Sequence, residues 1–161
     1  MRDWSTSPGG VICGDFRDSL AFLPRYLVDL LFLDPLYNLS KHFNGRRFAK
    51  TSVDEYTSWF DSILTQLNPL LKPTATIYIC GDWLSSCSIF EAAFKYFKIR
   101  NCITWEREKG RGAKTNWKNA GEDIWFWTVS DDYCFNVDDV KLRCRVIAPY
   151  RHEDGRPKDW N

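Results

Sequence analysis

Asp34, Pro35 and Tyr37 stand directly after an apolar run at 28–33, and their types suit chemistry on an amine. Pro35 fixes its own φ angle and restrains Asp34 to extended geometry, so the Asp34 carboxylate and the Pro35 carbonyl can form a rigid pair of hydrogen-bond acceptors. Such a pair can bind both hydrogens of an exocyclic NH₂ group and leave the nitrogen lone pair available. Tyr37 is near enough to offer its ring to a base turned out of its stack. The stretch 34–37 therefore predicts a site for a flat ligand that carries an amine.

Carboxylates follow three predicted parallel strands, as Asp15, Asp34 and Asp82. In open α/β sheets, ligands bind outside the carboxyl ends of the strands. We therefore expect the three side chains to gather at one edge of the sheet, in an acceptor-rich site that suits a cationic or amine-bearing ligand better than a phosphate. Asp15 and Asp82 each follow a glycine, and for these two the alternative is ordinary turn chemistry after a strand.

The elements that must position these residues alternate between strands and helices. Continuous apolar runs predict buried strands, and the capping box Ser52-x-x-Glu55 begins an amphipathic helix that ends near Asn68. Strands are predicted at 10–13, 28–33, 74–80, 101–107 and 123–129, and helices at 16–25, 52–68 and 86–97. A polar, basic loop is predicted at 38–51. The alternation predicts an α/β fold with mainly parallel strands and helices on both faces, and the last two strands predict an antiparallel pair at one edge.

The stretch Asp34-Pro35-Leu36-Tyr37 resembles the Asp-Pro-Pro-Tyr motif of the amino-group DNA methyltransferases, which modify N6 of adenine or N4 of cytosine. It departs from that motif at Leu36, where the family usually has a second proline. The resemblance covers nearly the whole chain, because further stretches follow the order found in enzymes whose catalytic motif precedes the cofactor motif. These stretches are Gly14-Asp15, 78–83, 103–105, 106–118 and 122–125.

The resemblance implies a fold, a reaction and a cofactor. The fold is a partial Rossmann-like sheet of the S-adenosyl-L-methionine (SAM)-dependent methyltransferases. The reaction is direct transfer of the SAM methyl group to the exocyclic amine of a base flipped out of double-stranded DNA, with adenine favoured over cytosine. The implied catalytic residues are Asp34, Pro35, Leu36 and Tyr37. The implied cofactor-binding residues are Asp15, Phe16, Asp34 and Asp82.

Two basic stretches predict contacts with the DNA backbone. The first, 106–118, carries Arg107, Lys109, Arg111, Lys114 and Lys118. The second lies in the loop after the motif and carries Lys41, Arg46 and Arg47. The alternatives are a solvated hairpin loop for the first stretch and a solvent-exposed loop for the second.

The composition excludes several classes of protein. A chain of 161 residues with net charge +1 is long enough for one domain with a real core, and it is neither a disordered tail nor a basic nucleic-acid arm. The six cysteines form no Cys-x-x-Cys pair, so a zinc site is poorly supported. No apolar run approaches the roughly 20 residues of a membrane span. We expect a reduced, cytoplasmic protein with no membrane contact.

One segment of the enzymes that this chain resembles has no counterpart here. It is a Phe-x-Gly-x-Gly stretch, which closes around the methionine part of SAM. We therefore expect residues 1–135 to form an incomplete methyltransferase domain, and 136–161 to begin the target-recognition region or to form a tail. The chain would then be inactive alone and would depend on a complementary C-terminal fragment or on self-association. The alternative is a catalytically dead remnant that retains DNA binding or only the fold.

Overall fold

The computed structural model describes residues 9–43, 45–111, 114–115, 117–141 and 152–156. The four helices in this part of the chain are α1 (Phe16–Leu20), α2 (Val53–Leu67), α3 (Ser86–Ala93) and α4 (Val137–Val140). The six strands in the same part are β1 (Val28–Leu33), β2 (Lys41–Phe43), β3 (Arg46–Phe48), β4 (Leu71–Gly81), β5 (Lys98–Arg111) and β6 (Asn119–Thr128). None of these helices combines the length and apolarity needed to cross a bilayer.

Four of the strands form a mixed sheet in the order β1-β4-β6-β5. β1 runs parallel to β4, with Leu33 beside Ile79, whereas β6 runs antiparallel to both β4 and β5. The predicted mixture of parallel strands, helices and an antiparallel pair at the edge is present, but only one of the three pairings in this described sheet is parallel, whereas mainly parallel strands were predicted. Helices α2 and α3 pack together on one face of the sheet, whereas helices were predicted on both faces. The antiparallel part is larger than an edge pair, because β6 lies inside the sheet and makes two of its three pairings.

Helix α2 follows from its capping box and its apolar stripe. The Ser52 Oγ atom accepts a hydrogen bond from the Glu55 amide at 3.2 Å, and the Glu55 carboxylate accepts one from the Ser52 amide at 3.0 Å. These two bonds satisfy amide donors that the first turn of a helix leaves free. The helix ends at Leu67, and Pro69 follows in a short 3₁₀ turn. The predicted helix and its cap are confirmed.

The core lies between one face of the sheet and helices α2 and α3. Its fully buried side chains include Phe60, Leu64, Ile77, Ile89 and Trp127, each 0% exposed. Burying each large apolar side chain contributes about 1.5–3 kcal/mol before the entropy of ordering is counted. Helices α2 and α3 pack on this face, and α3 follows the carboxyl end of β4.

The opposite face of the sheet is less covered in the described part of the chain. Phe126 stacks on Tyr78 at 4.8 Å between ring centroids and is covered by Phe135. Leu30 and Phe32 on β1 remain 58% exposed. The apolar run at 28–33 predicted a strand covered on both faces, whereas the described residues cover the face that carries Leu31 and Leu33 and leave Leu30 and Phe32 exposed.

The strand predicted at 10–13 is wrong. These residues form no ladder, and Val11 is 98% exposed. A strand is stable only when a neighbour pairs with its amide and carbonyl groups, and no described strand lies beside this stretch. The helix that follows is also shorter than the predicted 16–25, because it ends at Leu20 and a turn leads to Pro24.

Two predicted loops contain regular structure. The loop 38–51 contains the hairpin β2–β3, in which His42 pairs with Arg47 and Gly45 adopts a φ of +76° at the turn. The loop expected at 108–122 is shorter, because β5 continues to Arg111 and β6 begins at Asn119. Both strands therefore extend into polar stretches, where no apolar pattern in the sequence predicts a strand. The division of the chain at 135/136 stays a prediction, and 142–151 and 157–161 lie outside the described residues.

Candidate active site

A cleft of about 700 Å³ lies at the carboxyl ends of the parallel strands β1 and β4. One wall is the stretch 34–37, which follows β1. The opposite wall comes from the hairpin β5–β6 and includes Trp105, Arg107 and Glu122. Asp82 and Trp83, which follow β4, also line the cleft. The structure thus brings Asp34, Pro35, Leu36, Tyr37 and Asp82 together, as the sequence predicts for the ends of parallel strands.

The backbone of the 34–37 stretch is held from the side by helix α2. The Tyr56 hydroxyl donates a hydrogen bond to the Leu36 carbonyl at 2.8 Å. Burial raises the pKa of Tyr56 to about 12, so this hydroxyl remains a donor at neutral pH. Because Pro35 already fixes its own φ angle, the added bond at Leu36 leaves the motif little freedom to move.

Tyr37 is anchored by a carboxylate from the far wall of the cleft. Its hydroxyl donates to the Glu122 Oε2 atom at 3.4 Å, and the Glu122 Oε1 atom lies 2.6 Å from an Arg107 guanidinium nitrogen. Burial raises the pKa of Tyr37 above its ordinary value, and the nearby charges of Asp34 and Glu122 raise it further. The Tyr37 side chain is therefore a neutral ring whose hydroxyl is directed at Glu122.

Asn38 closes the polar segment that follows the motif. Its side chain accepts a hydrogen bond from the Thr51 amide at 2.8 Å and donates one to the Thr51 carbonyl at 3.1 Å. Its backbone amide donates to the Ser85 Oγ atom at 3.1 Å. These bonds join the two ends of the segment that contains β2–β3, which brings Lys41 and Phe48 to the rim of the cleft.

Asp82 lines the cleft but also has a structural task. Its carboxylate accepts a hydrogen bond from the Ser85 amide at 2.9 Å, and its carbonyl accepts one from the Ser86 amide at 2.9 Å. Both bonds satisfy free amide groups at the beginning of α3. Asp82 therefore forms the turn after β4, as the alternative interpretation of this residue predicted. Its role in cofactor binding stays a prediction.

Asp15 and Phe16 lie away from the cleft. Asp15 caps α1 by accepting a hydrogen bond from the Arg17 amide at 3.0 Å, and it forms an ion pair with the Arg17 guanidinium at 2.8 Å. The hydrogen bonds from Arg17 hold the pKa of Asp15 at about 2. Asp15 lines a separate depression of about 490 Å³ that shares no lining residue with the cleft. The expected gathering of three carboxylates is thus wrong for Asp15, since no strand precedes it, and its cofactor role stays a prediction.

The basic residues are divided between the cleft and the open surface. Lys41 and Arg107 line the cleft. Arg107 lies on β5, within the strand predicted at 101–107, and is paired with Glu122. Arg47, Lys114 and Lys118 are exposed. The side chains of Arg46, Lys109 and Arg111 lie outside the described part. Their contacts with DNA stay predictions.

Sequence reasoning missed several residues that line the cleft or support its backbone. Glu122 stands within a stretch that the resemblance included, but its partners depend on the register that places it beside Trp105. Asn38 and Tyr56 were missed because their partners are backbone groups of another segment. Only Trp83 carried a local signal, as an aromatic residue directly after the acid that ends β4.

The side chains of the cleft fit a ligand that carries positive charge and flat rings. Three carboxyl groups lie in its lining, those of Asp34, Asp82 and Glu122. Trp83 and Trp105 add ring surfaces that are 60% and 56% exposed, as stacking on a base requires. A cationic sulfonium group and a base are both compatible with this set. No described group of three His, Cys, Asp or Glu side chains could hold a metal ion.

The chain is similar in sequence to curated methyltransferases. DNA adenine methyltransferase YhdJ of Escherichia coli (strain K12) is 28% identical over 155 residues, which are 91% of this chain and 52% of YhdJ. This chain spans about half the length of the curated relatives that it matches.

Two solved structures share the fold. PvuII DNA methyltransferase (cytosine-N4-specific) superposes with a TM-score of 0.60 at 16% identity, over 74% of this chain and 48% of that one. The Thermus thermophilus protein TTHA0409, complexed with SAM, superposes with a TM-score of 0.56 at 18% identity, over 78% of this chain and 55% of that one. The predicted partial Rossmann-like fold of SAM-dependent methyltransferases is thereby confirmed.

The family model described as DNA methylase, which covers N6 and N4 methyltransferases, matches residues 28–156. That match includes the cleft, the 34–37 stretch and the hairpin β5–β6, and it extends over most of the chain. The chain therefore belongs to the DNA methylase family.

Proposed function

We propose that this chain carries the amine-binding part of a SAM-dependent DNA methyltransferase site that modifies N6 of adenine. The observation that carries the proposal is the placement of Asp34, Pro35 and Tyr37 in one cleft, with the backbone between them held by Tyr56. The chain spans about half the length of its curated relatives, so the activity of the whole protein is part of the proposal.

The proposed reaction begins with a base turned into the cleft. Its NH₂ group donates one hydrogen to the Asp34 carboxylate and the other to the Pro35 carbonyl, which draws the nitrogen away from planarity and frees its lone pair. The Tyr37 ring holds the base by stacking, which is worth about 1–3 kcal/mol per base. SAM, when bound, supplies a methyl group made electrophilic by a sulfonium. The nitrogen forms the new bond to carbon as the carbon–sulfur bond breaks, and the Asp34 carboxylate can accept the released proton.

The remaining cleft residues suit the DNA around the target base. Lys41 and Arg107 provide positive charge for phosphate groups. Trp83 and Trp105 provide exposed ring faces for a neighbouring base. Adenine is preferred over cytosine because the curated relative YhdJ is a DNA adenine methyltransferase, whereas the likeness to the cytosine-N4 enzyme is one of fold.

The test is a methyl-transfer assay with double-stranded DNA and radiolabelled SAM, run with this chain alone and together with the part of YhdJ that the chain does not cover, followed by digestion and identification of the methylated nucleoside. Oligonucleotide affinity is measured in parallel by fluorescence anisotropy. Asp34→Ala removes the charged acceptor, and a hydrogen bond to a charged group is worth about 1.5–3 kcal/mol. We expect this change to weaken base-dependent binding about tenfold to a hundredfold and to abolish N6-methyladenine. Asp29→Ala is the matched control, since Asp29 is an exposed carboxylate on β1, the strand that Asp34 follows.

The outcomes distinguish the reactions and the alternative. N6-methyladenine that Asp34→Ala removes and Asp29→Ala retains supports the proposal, whereas N4-methylcytosine contradicts the choice of base. DNA binding without methyl transfer, unaffected by Asp34→Ala, would support a remnant that binds DNA without using this cleft.

A further inference from the structure

Glu122 is a buried carboxylate at the wall of the cleft, and no role in the reaction proposed above falls to it. It is 8% exposed, and it stands on β6 beside Trp105 of β5. A buried carboxylate is costly unless its oxygens are paired, so the identity of its partners shows what it does.

Each oxygen of Glu122 has its own partner, and the two partners come from opposite edges of the sheet. Oε2 accepts a hydrogen bond from the Tyr37 hydroxyl at 3.4 Å, and Oε1 pairs with Arg107 at 2.6 Å. Tyr37 follows β1 and Arg107 stands on β5, the two outer strands of the order β1-β4-β6-β5. The Glu122 side chain therefore joins the two walls of the cleft across the end of β4.

A carboxylate accepts from both partners, the Tyr37 hydroxyl and the Arg107 guanidinium. A glutamine could accept from Arg107 only by turning its NH₂ toward Tyr37, where the hydroxyl would have to accept instead of donate. The change to glutamine therefore removes the charge beside Arg107 and reverses the hydrogen bond at Tyr37. Backbone ladder bonds already hold β6 to β5, so the pairing of these strands does not depend on the side chain.

The Arg107 side chain is only partly buried, with 41% of it exposed. A guanidinium has five N–H donors in a fixed plane, and the pair with Glu122 leaves others directed elsewhere. Because the guanidinium is rigid, the pair with Glu122 also fixes the direction of the remaining N–H donors of Arg107. Glu122 thereby sets the orientation of a cation that lines the cleft, as well as the hydroxyl end of the Tyr37 ring.

We propose that Glu122 is a positioning residue. Its carboxylate orients the Tyr37 ring for stacking on the base, and it holds Arg107 for contact with a phosphate of the DNA strand that carries this base. The inference rests on the proposed function, because it assigns the base and the phosphate to these two side chains. Glu122 itself is assigned no contact with either ligand, because one of its oxygens faces Tyr37 and the other faces Arg107.

The first experiment needs no substrate. The chain is labelled with ¹³Cζ-tyrosine, and the Tyr37 resonance is assigned from its loss in Tyr37→Phe. We expect Glu122→Gln to shift this resonance and Glu106→Gln to leave it unchanged. Glu106 is the matched control, because it is an exposed carboxylate next to Arg107 on β5. An unchanged Tyr37 resonance in Glu122→Gln would overturn the inference.

The second experiment measures oligonucleotide affinity in a double-mutant cycle. Tyr37→Phe keeps the ring and removes the hydroxyl, so a positioning role predicts that the two changes are not additive. We expect Glu122→Gln to weaken binding about threefold to tenfold in the unaltered chain and much less in the Tyr37→Phe background. Equal losses in both backgrounds would overturn the link through Tyr37. An unaltered chain that binds no oligonucleotide counts against the proposed function, and the Tyr37 resonance then decides on Glu122 alone.

Discussion

Replacing Asn38 with alanine tests how the cleft is held together. The change removes two hydrogen bonds to the backbone of Thr51, at 2.8 and 3.1 Å, that join the ends of the segment containing β2–β3. A typical intramolecular hydrogen bond contributes about 0.5–1.5 kcal/mol net, so the pair contributes about 2 kcal/mol. Thr51 is exposed, so its amide and carbonyl groups can bind water once Asn38 is replaced. We therefore expect no further cost from buried polar groups without a hydrogen-bond partner.

Urea unfolding followed by tryptophan fluorescence measures this loss. We expect Asn38→Ala to lower the free energy of unfolding by about 2 kcal/mol with an unchanged m value. Asn101→Ala is the control, because Asn101 is exposed on β5, and such positions change stability by about 0.5 kcal/mol or less.

Hydrogen exchange at the Thr51 amide separates a local effect from a global one. If the two bonds act only locally, this amide should exchange about thirtyfold faster in Asn38→Ala, which corresponds to about 2 kcal/mol, while core amides stay protected. A stability loss no larger than that of Asn101→Ala, together with unchanged protection at Thr51, would refute the account of how the segment is closed.

Three further predictions concern the same framework. Tyr56→Phe removes the donor to the Leu36 carbonyl and should cost about 1 kcal/mol in urea unfolding; no measurable cost would mean that α2 does not restrain the motif. The pKa of Tyr56 is raised to about 12, and that of Tyr37 is also raised. The protonated side chains therefore contribute their full stabilisation at pH values below the pKa of an unfolded tyrosine, about 10. This contribution is lost as the pH rises above that value toward the pKa of the folded state. An absorbance titration should show tyrosines that ionise late, with a late step missing in Tyr56→Phe, and a single transition near the ordinary value would contradict this. Phe60→Ala should cost about 3–5 kcal/mol because Phe60 is 0% exposed, against about 1 kcal/mol or less for Phe94→Ala at 62% exposure, and similar costs would show that the core is misplaced.

The sequence predicted the parts of the site that depend on local chemistry. The apolar run at 28–33 and the proline after it define β1 and its end to the residue. The capping box at Ser52 likewise marks the beginning of α2, and the end predicted near Asn68 lies one residue beyond the observed end at Leu67. Since ligands meet parallel sheets at the carboxyl ends of strands, the location of Asp34 and Tyr37 followed from these local signals.

The parts that the sequence did not predict depend on pairing between distant segments. The run at 10–13 has the composition of a strand, but it has no described neighbour with which to pair. Glu122 meets Tyr37 only because β6 lies inside the sheet, between β4 and β5. Asn38 finds its partner across an intervening hairpin. Composition and periodicity carry no information on such contacts, which are set by the register of the whole sheet.

The strand order has a consequence for how the chain folds. β5 and β6 are neighbours in sequence and pair as a hairpin, whereas β1 reaches β4 only after an excursion on the order of 40 residues that includes α2. Local pairings form faster than distant ones, so we expect the hairpin to form early and β1 to dock late. In pulse-labelled hydrogen exchange, amides of β6 should become protected before those of β1, and simultaneous protection would contradict this order. The cleft needs the end of β1 on one side and the hairpin on the other, so it would be the last region to assemble and the first to be lost under mild denaturation.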